Sequence, residues 1–286
     1  MSQGNCFLMK LSVSSRAGCR YKSLSMRMDE IGVTEALIND HHFELGGRDI
    51  HVWPVQLVAP DTVVERCFVL LSSDERARAE RFVFEHHRRA YVLSRGVLRA
   101  LLGRYISLQP ADIHFSYGSK GKPHLSEFAS QIRFNCSRSD GMALYAMTRH
   151  CDVGIDIEKI RPLQGMEQIA LNFFCPEETR ELLSLTPAER QEAFFRCWSR
   201  KEAYIKAVGD GLSIPLDGFR VTLTPGCPVE FVHLGDDRAL ANEWALHDFT
   251  AIAGYAAAIA YHEAPRPIRA APVMTVPEVL ASLSEK

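Results

Sequence analysis

The order in which the predicted elements of this chain follow one another restricts its fold most, because that order occurs twice. From residue 50 the pattern predicts a strand, a helix, a long helix and further strands, and from residue 153 the same order begins again. The dipeptide Ser94-Arg95 in the first long helix matches Ser199-Arg200 in the second. We therefore expect an α+β fold in which two similar halves pack together.

Both predicted long helices have clear ends in the sequence. Arg88–Gly103 carries apolar residues along one stripe and ends at a glycine, and Ala188–Val208 ends just before Gly209. Pro176 followed by two glutamates predicts the start of a shorter helix before the second long one. Alternating or β-branched residues predict strands at Ile50–Val58, Ile132–Cys136, Ala143–Thr148, Val153–Ile157, Phe219–Leu223 and Thr250–Tyr261.

The two ends of the chain differ in composition from its middle. Residues 1–28 contain five basic residues and no acidic one, a pattern that fits an organelle presequence, a disordered extension, or translation that starts at Met26 or Met28. Residues 264–275 are rich in proline and show no periodicity, which predicts a surface tail. We therefore divide the chain into a poorly ordered extension (1–48), a first half (49–150), a second half (151–263) and a tail (264–286).

Charge and cysteine usage exclude several classes of protein. The formal net charge is −2, so no strong positive field draws the protein to nucleic acid or to a membrane surface. No apolar run approaches the roughly 20 residues that a membrane span needs. None of the eight cysteines forms a CxxC pair, which predicts reduced thiols and a cytoplasmic protein.

The first segment with chemical potential is GIDIE, residues 154–158. On a strand, Asp156 and Glu158 point to one side, while Ile155 and Ile157 point to the other side and into the core. Neighbouring carboxylates repel each other unless a cation lies between them, and such oxygen ligands suit Mg²⁺. Taken alone, the segment also fits an exposed strand edge with two solvated acids.

The second segment is WSRKEAYIK, residues 198–206, inside the second long helix. Lys201 falls on the apolar stripe of that helix, and Glu202 and Lys206 lie four residues apart along its margin. An acid for a metal and cations for phosphate oxygens are what phosphoryl transfer requires. The alternative is a lysine whose stem covers the apolar stripe, beside a solvated Glu–Lys pair.

Two other segments add basic groups that could bind phosphate. The turn Gly121-Lys122-Pro123 presents one lysine, and FNCSRS at residues 134–139 ends a strand with hydroxyl groups and Arg138. The helical region 74–104 contains eight arginines and four acids, and most of these arginines are expected on a solvated face.

Taken in order, these segments resemble the Sfp-type 4′-phosphopantetheinyl transferases. The likeness covers roughly residues 50–262, and GIDIE followed by WxxKEAxxK is its most specific part. The matching blocks are GKP (121–123), FNCSRS (134–139), GIDIE (154–158), WSRKEAYIK (198–206) and GDGLSIPLDGF (209–219).

The resemblance implies a pseudo-dimer of two α+β halves, each a small antiparallel sheet packed on a long helix, with coenzyme A between them. It implies that Asp156, Glu158 and Glu202 hold Mg²⁺, with Glu202 also a base for the incoming serine. Asp156, Glu202 and Lys206 are then the catalytic residues. The residues implied to contact coenzyme A are Lys122, Pro123, Ser137, Arg138, Lys201 and Lys206, with Arg78 and Arg88 or Arg89 aligned only approximately.

One position departs from the family pattern. The family commonly has histidine where this chain has Arg138, which can bind a phosphate but cannot titrate near neutral pH. The resemblance predicts transfer of 4′-phosphopantetheine from coenzyme A to a serine of an apo acyl or peptidyl carrier protein, by a monomer. Two alternatives stay open: another Mg²⁺ enzyme, such as a nucleotide phosphohydrolase, and a catalytically silent module that binds coenzyme A.

Overall fold

The protein is described here by a computed structural model, which covers residues 33–35, 44–126, 131–209, 214–235 and 237–282. The helices are α1 (Asp61–Leu70), α2 (Ser73–Glu80), α3 (Glu85–Ile106), α4 (Met166–Phe173), α5 (Pro176–Ser184), α6 (Pro187–Val208), α7 (Arg238–Ala241) and α8 (Val276–Ser282). The strands are β1 (Val33–Glu35), β2 (Ile50–Gln56), β3 (Phe115–Tyr117), β4 (Pro123–Leu125), β5 (Ile132–Ser139), β6 (Met142–Arg149), β7 (Val153–Lys159), β8 (Phe219–Val221), β9 (Phe231–Leu234), β10 (Trp244–Asp248), β11 (Tyr255–His262), β12 (Ile268–Ala270) and β13 (Met274–Thr275).

The first half is a sheet covered on one face by α3. Its strand order is β1-β12-β2-β6-β5, and β13 also pairs with β2. The β5–β6 hairpin turns at Asp140 and Gly141, whose φ angles of 42° and 82° suit the tight turn that joins twisted strands. Apolar residues of α3, among them Val97, Leu98 and Leu101, pack with the sheet in one core cluster.

The second half places α6 directly on the antiparallel sheet β10-β11-β7. Gly154 makes this close approach possible, because a Cβ there would lie 2.0 Å from the Ala203 carbonyl oxygen and 2.3 Å from the Ala207 nitrogen. Phe194, Trp198 and other apolar residues of α6 belong to the core cluster of this half. The close contact brings the C-terminal part of α6 beside the carboxylates of β7.

The two halves share a third core cluster, which lies between their sheets. Ile155 and Ile157 of β7 pack there with Val52 and Leu144 of the first-half sheet. The Ile155 amide also donates a hydrogen bond of 3.0 Å to the side-chain oxygen of Asn135 on β5. With these isoleucines in the core, Asp156 and Glu158 alternate to the other side of β7, as the sequence predicts.

The C-terminal segment differs from the predicted surface tail. Strands β12 and β13 pair in parallel with β2, and α8 packs against the first-half core through Val276, Val279 and Leu280. These additions make the first-half sheet mixed, where a purely antiparallel sheet was expected. The strands are short and interrupted by prolines, so they carry too little periodicity to be recognised from sequence.

The mixed helix and sheet content confirms the predicted α+β class, and most of the predicted elements are present. Helix α1 was not predicted, although Val63, Val64 and Cys67 are buried on one side of it. The predicted N-terminal extension lies outside the described residues apart from β1 and the segment from residue 44. Within the described part of the chain, no helix combines the length and the apolar character that crossing a bilayer demands.

Candidate active site between the two halves

A row of paired hydroxyl and carboxyl groups runs between β5 and β7. The Ser137 hydroxyl donates a hydrogen bond of 2.9 Å to Oδ1 of Asp156, and the Ser139 hydroxyl donates one of 3.0 Å to Oε2 of Glu158. Both carboxylates are buried, which argues against the alternative of an exposed strand edge with solvated acids. The serines hold the carboxylates in fixed orientations.

Helix α6 brings one ammonium group to these acids. Lys206 Nζ donates hydrogen bonds of 2.6 Å to Oδ1 of Asp156 and 2.9 Å to the Ser137 hydroxyl. Burial alone would lower the pKa of Lys206, but Asp156, Glu202 and Glu158 together raise it well above its usual value. All three predicted acids therefore raise the pKa of a single ammonium group, that of Lys206.

Glu202 lies one turn before Lys206 on α6. Burial raises the pKa of Glu202 to about 7, Lys206 opposes this increase, and Asp156 adds to it. Glu202 borders a cavity of about 270 Å³ whose lining is mostly apolar. The lining residues are Asn172, Phe173, Trp198, Glu202, Ile214, Pro215, Leu216 and Asp217.

Two observations test whether this acidic cluster suits a divalent cation. Oδ2 of Asp156 is buried and has no hydrogen-bond partner within the described part of the chain. When all three predicted acids are ionised, they carry three negative charges against the one positive charge of Lys206. A divalent cation would neutralise the remaining negative charge. The charges therefore fit such an ion, although no three acidic, His or Cys side chains among the described residues form a ready ligand group.

A second charged cluster lies in the first half and is cationic. The guanidinium groups of Arg78 and Arg138 lie 5.4 Å and 5.9 Å from the ring centre of Tyr91, and Arg138 donates a hydrogen bond of 3.2 Å to the Ser94 hydroxyl. Burial lowers the pKa of Arg138, and the nearby Arg78 lowers it further. Neither guanidinium has an ion-pair partner within the described ranges, unlike Arg95 and Arg99, which pair with Glu75.

Lys201 does not lie where the resemblance placed it. Its ammonium is fully buried and contacts Glu178 at 2.8 Å, with further hydrogen bonds to the Leu216 and Phe219 carbonyl oxygens. An ammonium has three donors, so this position does not agree with a predicted phosphate contact. The physical reason is that Lys201 faces the apolar side of α6, opposite the side that carries Lys206.

Two more residues predicted to contact the nucleotide already have protein partners. Lys122 Nζ donates a hydrogen bond of 2.7 Å to the Ala207 carbonyl oxygen at the end of α6, and burial lowers the pKa of Lys122 although Asp152 opposes this change. Arg88 forms an exposed ion pair with Glu85. Pro123 begins β4.

Sequence reasoning missed three contributors to this region. Ser139 follows Ser137 by two residues, so strand alternation could have placed it beside Glu158. Tyr91 was read only as part of an apolar stripe, whereas its ring lies near both Arg78 and Arg138. Glu178, the buried partner of Lys201, was read only as an acid near a helix start.

Comparison with known proteins identifies the family. Residues 152–260 match the model of the 4′-phosphopantetheinyl transferase superfamily, and residues 61–150 match that of the N-terminal part of 4′-phosphopantetheinyl transferases. The chain is 42% identical over 184 residues to 4′-phosphopantetheinyl transferase HetI of a Nostoc species, covering 64% of this chain and 77% of that protein.

More distant relatives were also found. The chain is 34% identical to 4′-phosphopantetheinyl transferase Sfp of Bacillus subtilis, covering 56% of this chain and 69% of that protein. The crystal structure of holo-[acyl-carrier-protein] synthase from Thermotoga maritima matches with 24% identity and a TM-score of 0.31, covering 40% of this chain and 64% of that one. On the family models and the relative from Nostoc, the chain belongs to the 4′-phosphopantetheinyl transferase superfamily.

Proposed function

We propose that this protein transfers the 4′-phosphopantetheine group of coenzyme A to a serine of an apo acyl or peptidyl carrier protein and releases 3′,5′-ADP. Membership of the transferase superfamily supports the reaction class. The observation that carries the residue assignment is the Lys206 ammonium, which donates hydrogen bonds to Asp156 and Ser137 and whose pKa is raised by Asp156, Glu202 and Glu158. Such a mixed cluster offers both a place for a cation and a donor for phosphate oxygens.

The first half would hold the nucleotide end of coenzyme A. Arg78 and Arg138 carry positive charge with no acidic partner within the described residues, so an anionic phosphate would find two donors there. Arg138 also stays charged at every physiological pH, unlike the histidine common in the family. We assign the 3′-phosphate of coenzyme A to this pair, with the Ser94 hydroxyl as a further polar neighbour.

The second half would hold the pyrophosphate. Asp156, Glu158 and Glu202 are the residues that would bind Mg²⁺, and the unpartnered Oδ2 of Asp156 supports this assignment. When bound, Mg²⁺ neutralises charge on the pyrophosphate oxygens. Lys206 would donate hydrogen bonds to the same oxygens and stabilise the leaving 3′,5′-ADP, while Ser137 and Ser139 keep Asp156 and Glu158 in position.

Glu202 would be the base for the acceptor serine. The serine oxygen forms a bond to the β-phosphorus, the bond from that phosphorus to the bridging oxygen of 3′,5′-ADP breaks, and the serine proton passes to the Glu202 carboxylate. The cavity beside it gives room for the carrier segment that bears the serine.

The pseudo-dimer of two halves remains part of the proposal. Its support is a shared construction, in which a capping-box glutamate before each long helix pairs with cations of that helix: Glu75 with Arg95 and Arg99, and Glu178 with Lys201. A site built between two halves of one chain is complete in a monomer. Free cysteines among the described residues support a cytoplasmic location, and the net charge of −2 supports the absence of nucleic-acid and membrane partners.

One assay separates the proposal from both alternatives. Purified protein is incubated with coenzyme A that carries a fluorophore on its thiol, with Mg²⁺ and an apo acyl carrier protein, and the carrier is resolved on a denaturing gel. Covalent fluorescence on the carrier supports transfer. Phosphate release from a nucleotide without a carrier indicates a phosphohydrolase, and coenzyme A binding without any label indicates a silent binding module.

A further inference from the structure

The buried ion pair between Lys201 and Glu178 lies behind the proposed active site. Both side chains have no exposed surface, and their charged atoms lie 2.8 Å apart. The Lys201 ammonium also donates hydrogen bonds of 2.8 Å and 2.5 Å to the carbonyl oxygens of Leu216 and Phe219. Leu216 begins a short 3₁₀ turn and Phe219 directly follows it, so the lysine binds both ends of that turn.

Glu178 extends the same network to two further elements. Its Oε2 accepts a hydrogen bond of 3.0 Å from the Cys175 amide at the start of α5, and its Oε1 accepts one of 2.8 Å from the Val221 amide in β8. One buried pair therefore connects α5, α6, β8 and the 3₁₀ turn before β8. Such a network favours one arrangement of these elements, because each buried polar group has its partner.

The segment that this pair holds is one wall of the cavity beside Glu202. Residues 214–217 line the cavity, and Leu216 both lines it and accepts the hydrogen bond from Lys201. Glu202 itself follows Lys201 directly in α6, on a neighbouring side of the helix. A substitution of Lys201 would therefore change the positions of both the cavity wall and Glu202, although Lys201 contacts no phosphate in this proposal.

The first half contains the same construction without a catalytic carboxylate beside it. Glu75 caps α2 and pairs with Arg99 of α3 at 2.5 Å. Arg99 donates hydrogen bonds of 2.8 Å and 3.0 Å to the carbonyl oxygens of Pro110 and Ile113, which likewise lie at the two ends of a 3₁₀ turn. A scaffold role explains both constructions, whereas phosphate binding by Lys201 would explain neither its burial nor this parallel.

We infer that Lys201 is a positioning residue, which together with Glu178 fixes residues 214–219 against α6 and so shapes the place where the acceptor serine meets Glu202. This inference rests on the proposed function. It predicts that Lys201 affects the reaction with the carrier protein rather than the binding of coenzyme A. Coenzyme A binding should depend on Lys206 and remain nearly independent of Lys201.

The test compares Lys201→Met with the matched variant Lys206→Met on the same helix. Isothermal titration of each purified protein with coenzyme A and Mg²⁺ gives the Kd, and transfer to apo acyl carrier protein gives kcat and the KM for the carrier. We expect Lys206→Met to raise the Kd for coenzyme A by about tenfold or more, as loss of a charged hydrogen bond does. Lys201→Met should leave that Kd within about twofold and lower kcat/KM for the carrier about tenfold or more.

The double variant Glu178→Gln with Lys201→Met provides the second measurement. Lys201→Met alone leaves the Glu178 charge buried without its partner, and removing both charges relieves that cost. We expect the double variant to regain transfer activity relative to Lys201→Met, and a phosphate ligand could not be rescued in this way. If Lys201→Met does not fold, the double variant supplies the same comparison of Kd values.

Two results would overturn the inference. One is a Kd for coenzyme A that rises as much in Lys201→Met, or in the double variant, as in Lys206→Met. The other is a double variant that folds and transfers no better than Lys201→Met. A failure of the proposed function itself looks different, because the unaltered protein would then label no carrier while the ratio of the Kd values could still be measured.

Discussion

The two long helices, α3 and α6, differ in what lies next to their buried cations. In α3, Arg95 and Arg99 both pair with Glu75, which belongs to the first half as well. In α6, Lys201 pairs with Glu178, but Glu202 and Lys206 add charges on another side of the helix that face the acids of β7. The residues proposed to be catalytic therefore lie beside a scaffold that both halves share.

The comparison also distinguishes the two halves by their charge. The first half leaves positive charge on Arg78 and Arg138 near Tyr91, and in the second half Lys206 contacts Asp156 while Asp156, Glu202 and Glu158 all raise its pKa. An anionic ligand that carries a nucleotide at one end and a pyrophosphate in the middle matches this separation. Substitutions at four positions test it, and they follow in order of decreasing expected effect.

The largest effect is expected from Asp156→Asn. The substitution keeps the shape of the side chain but removes the charge that orients Lys206 and serves the proposed cation. Transfer to the carrier should fall roughly 10³-fold, equivalent to about 4 kcal/mol. Initial rates of label transfer measure the loss, and circular dichroism with thermal melting provides the folding control. Near-normal transfer by a folded variant would remove Asp156 from the mechanism.

The scaffold of the first half is tested by Glu75→Gln. Removing this carboxylate leaves the buried Arg99 and the partly buried Arg95 without their counter-charge, which should lower the free energy of unfolding by about 3 kcal/mol. Urea denaturation measures the change. In folded protein, the Kd for coenzyme A should stay close to that of the unaltered chain. A large increase in that Kd without lost stability would mean that Glu75 belongs to the binding site.

The same glutamate makes stability depend on pH in a defined direction. Burial raises the pKa of Glu75, but Arg95 and Arg99 outweigh burial and hold it below its usual value. Its contribution to stability is therefore fully present above the unfolded pKa of about 4.3 and is lost as the pH falls through the folded pKa. Glu75→Gln should flatten this part of the stability curve.

A smaller effect is expected at Arg138. Substitution by Met should raise the Kd for coenzyme A about tenfold, since the proposed charged contact with the 3′-phosphate would be lost, and should leave binding of dephospho-coenzyme A nearly unchanged. Restoring the family's histidine with Arg138→His should make coenzyme A bind more weakly above a pH of about 6.5, where histidine loses its charge. An equal loss for both ligands would show that Arg138 does not bind the 3′-phosphate.

The smallest effect is expected from Arg88→Ala. The sequence resemblance assigned Arg88 to the nucleotide, but its guanidinium forms an exposed pair with Glu85. Exposed pairs contribute about 0–1 kcal/mol, so stability should barely change, and the Kd for coenzyme A should change by less than about twofold. A tenfold increase in that Kd would restore Arg88 to the nucleotide site.

The sequence predicted the parts of the site that depend on local periodicity. Strand alternation gave the common side of Asp156 and Glu158, and helical spacing gave the Glu202–Lys206 pair. The role of Lys201 was harder to predict. Helical periodicity placed Lys201 on the apolar stripe but could not identify Glu178 as its partner. That partner comes from a different helix and depends on tertiary packing.

The internal sequence match was similarly incomplete. It pairs Ser94-Arg95 with Ser199-Arg200, yet Arg200 binds Asp248 through two hydrogen bonds of 2.8 Å and 2.6 Å and does not contact Glu178. The hydrogen bonds instead make Lys201 the counterpart of Arg99. The pairing of residues 268–270 and 274–275 with the first-half sheet was also not predictable from local patterns, because it joins distant parts of the chain.

The central claim is tested most directly by the intact mass of an apo acyl carrier protein after incubation with this protein, coenzyme A and Mg²⁺. We predict that the carrier gains the mass of one phosphopantetheine group on one serine, that one 3′,5′-ADP appears for each carrier modified, and that Asp156→Asn yields almost none of either product. A carrier of unchanged mass, in the presence of folded protein that binds coenzyme A, would contradict the account.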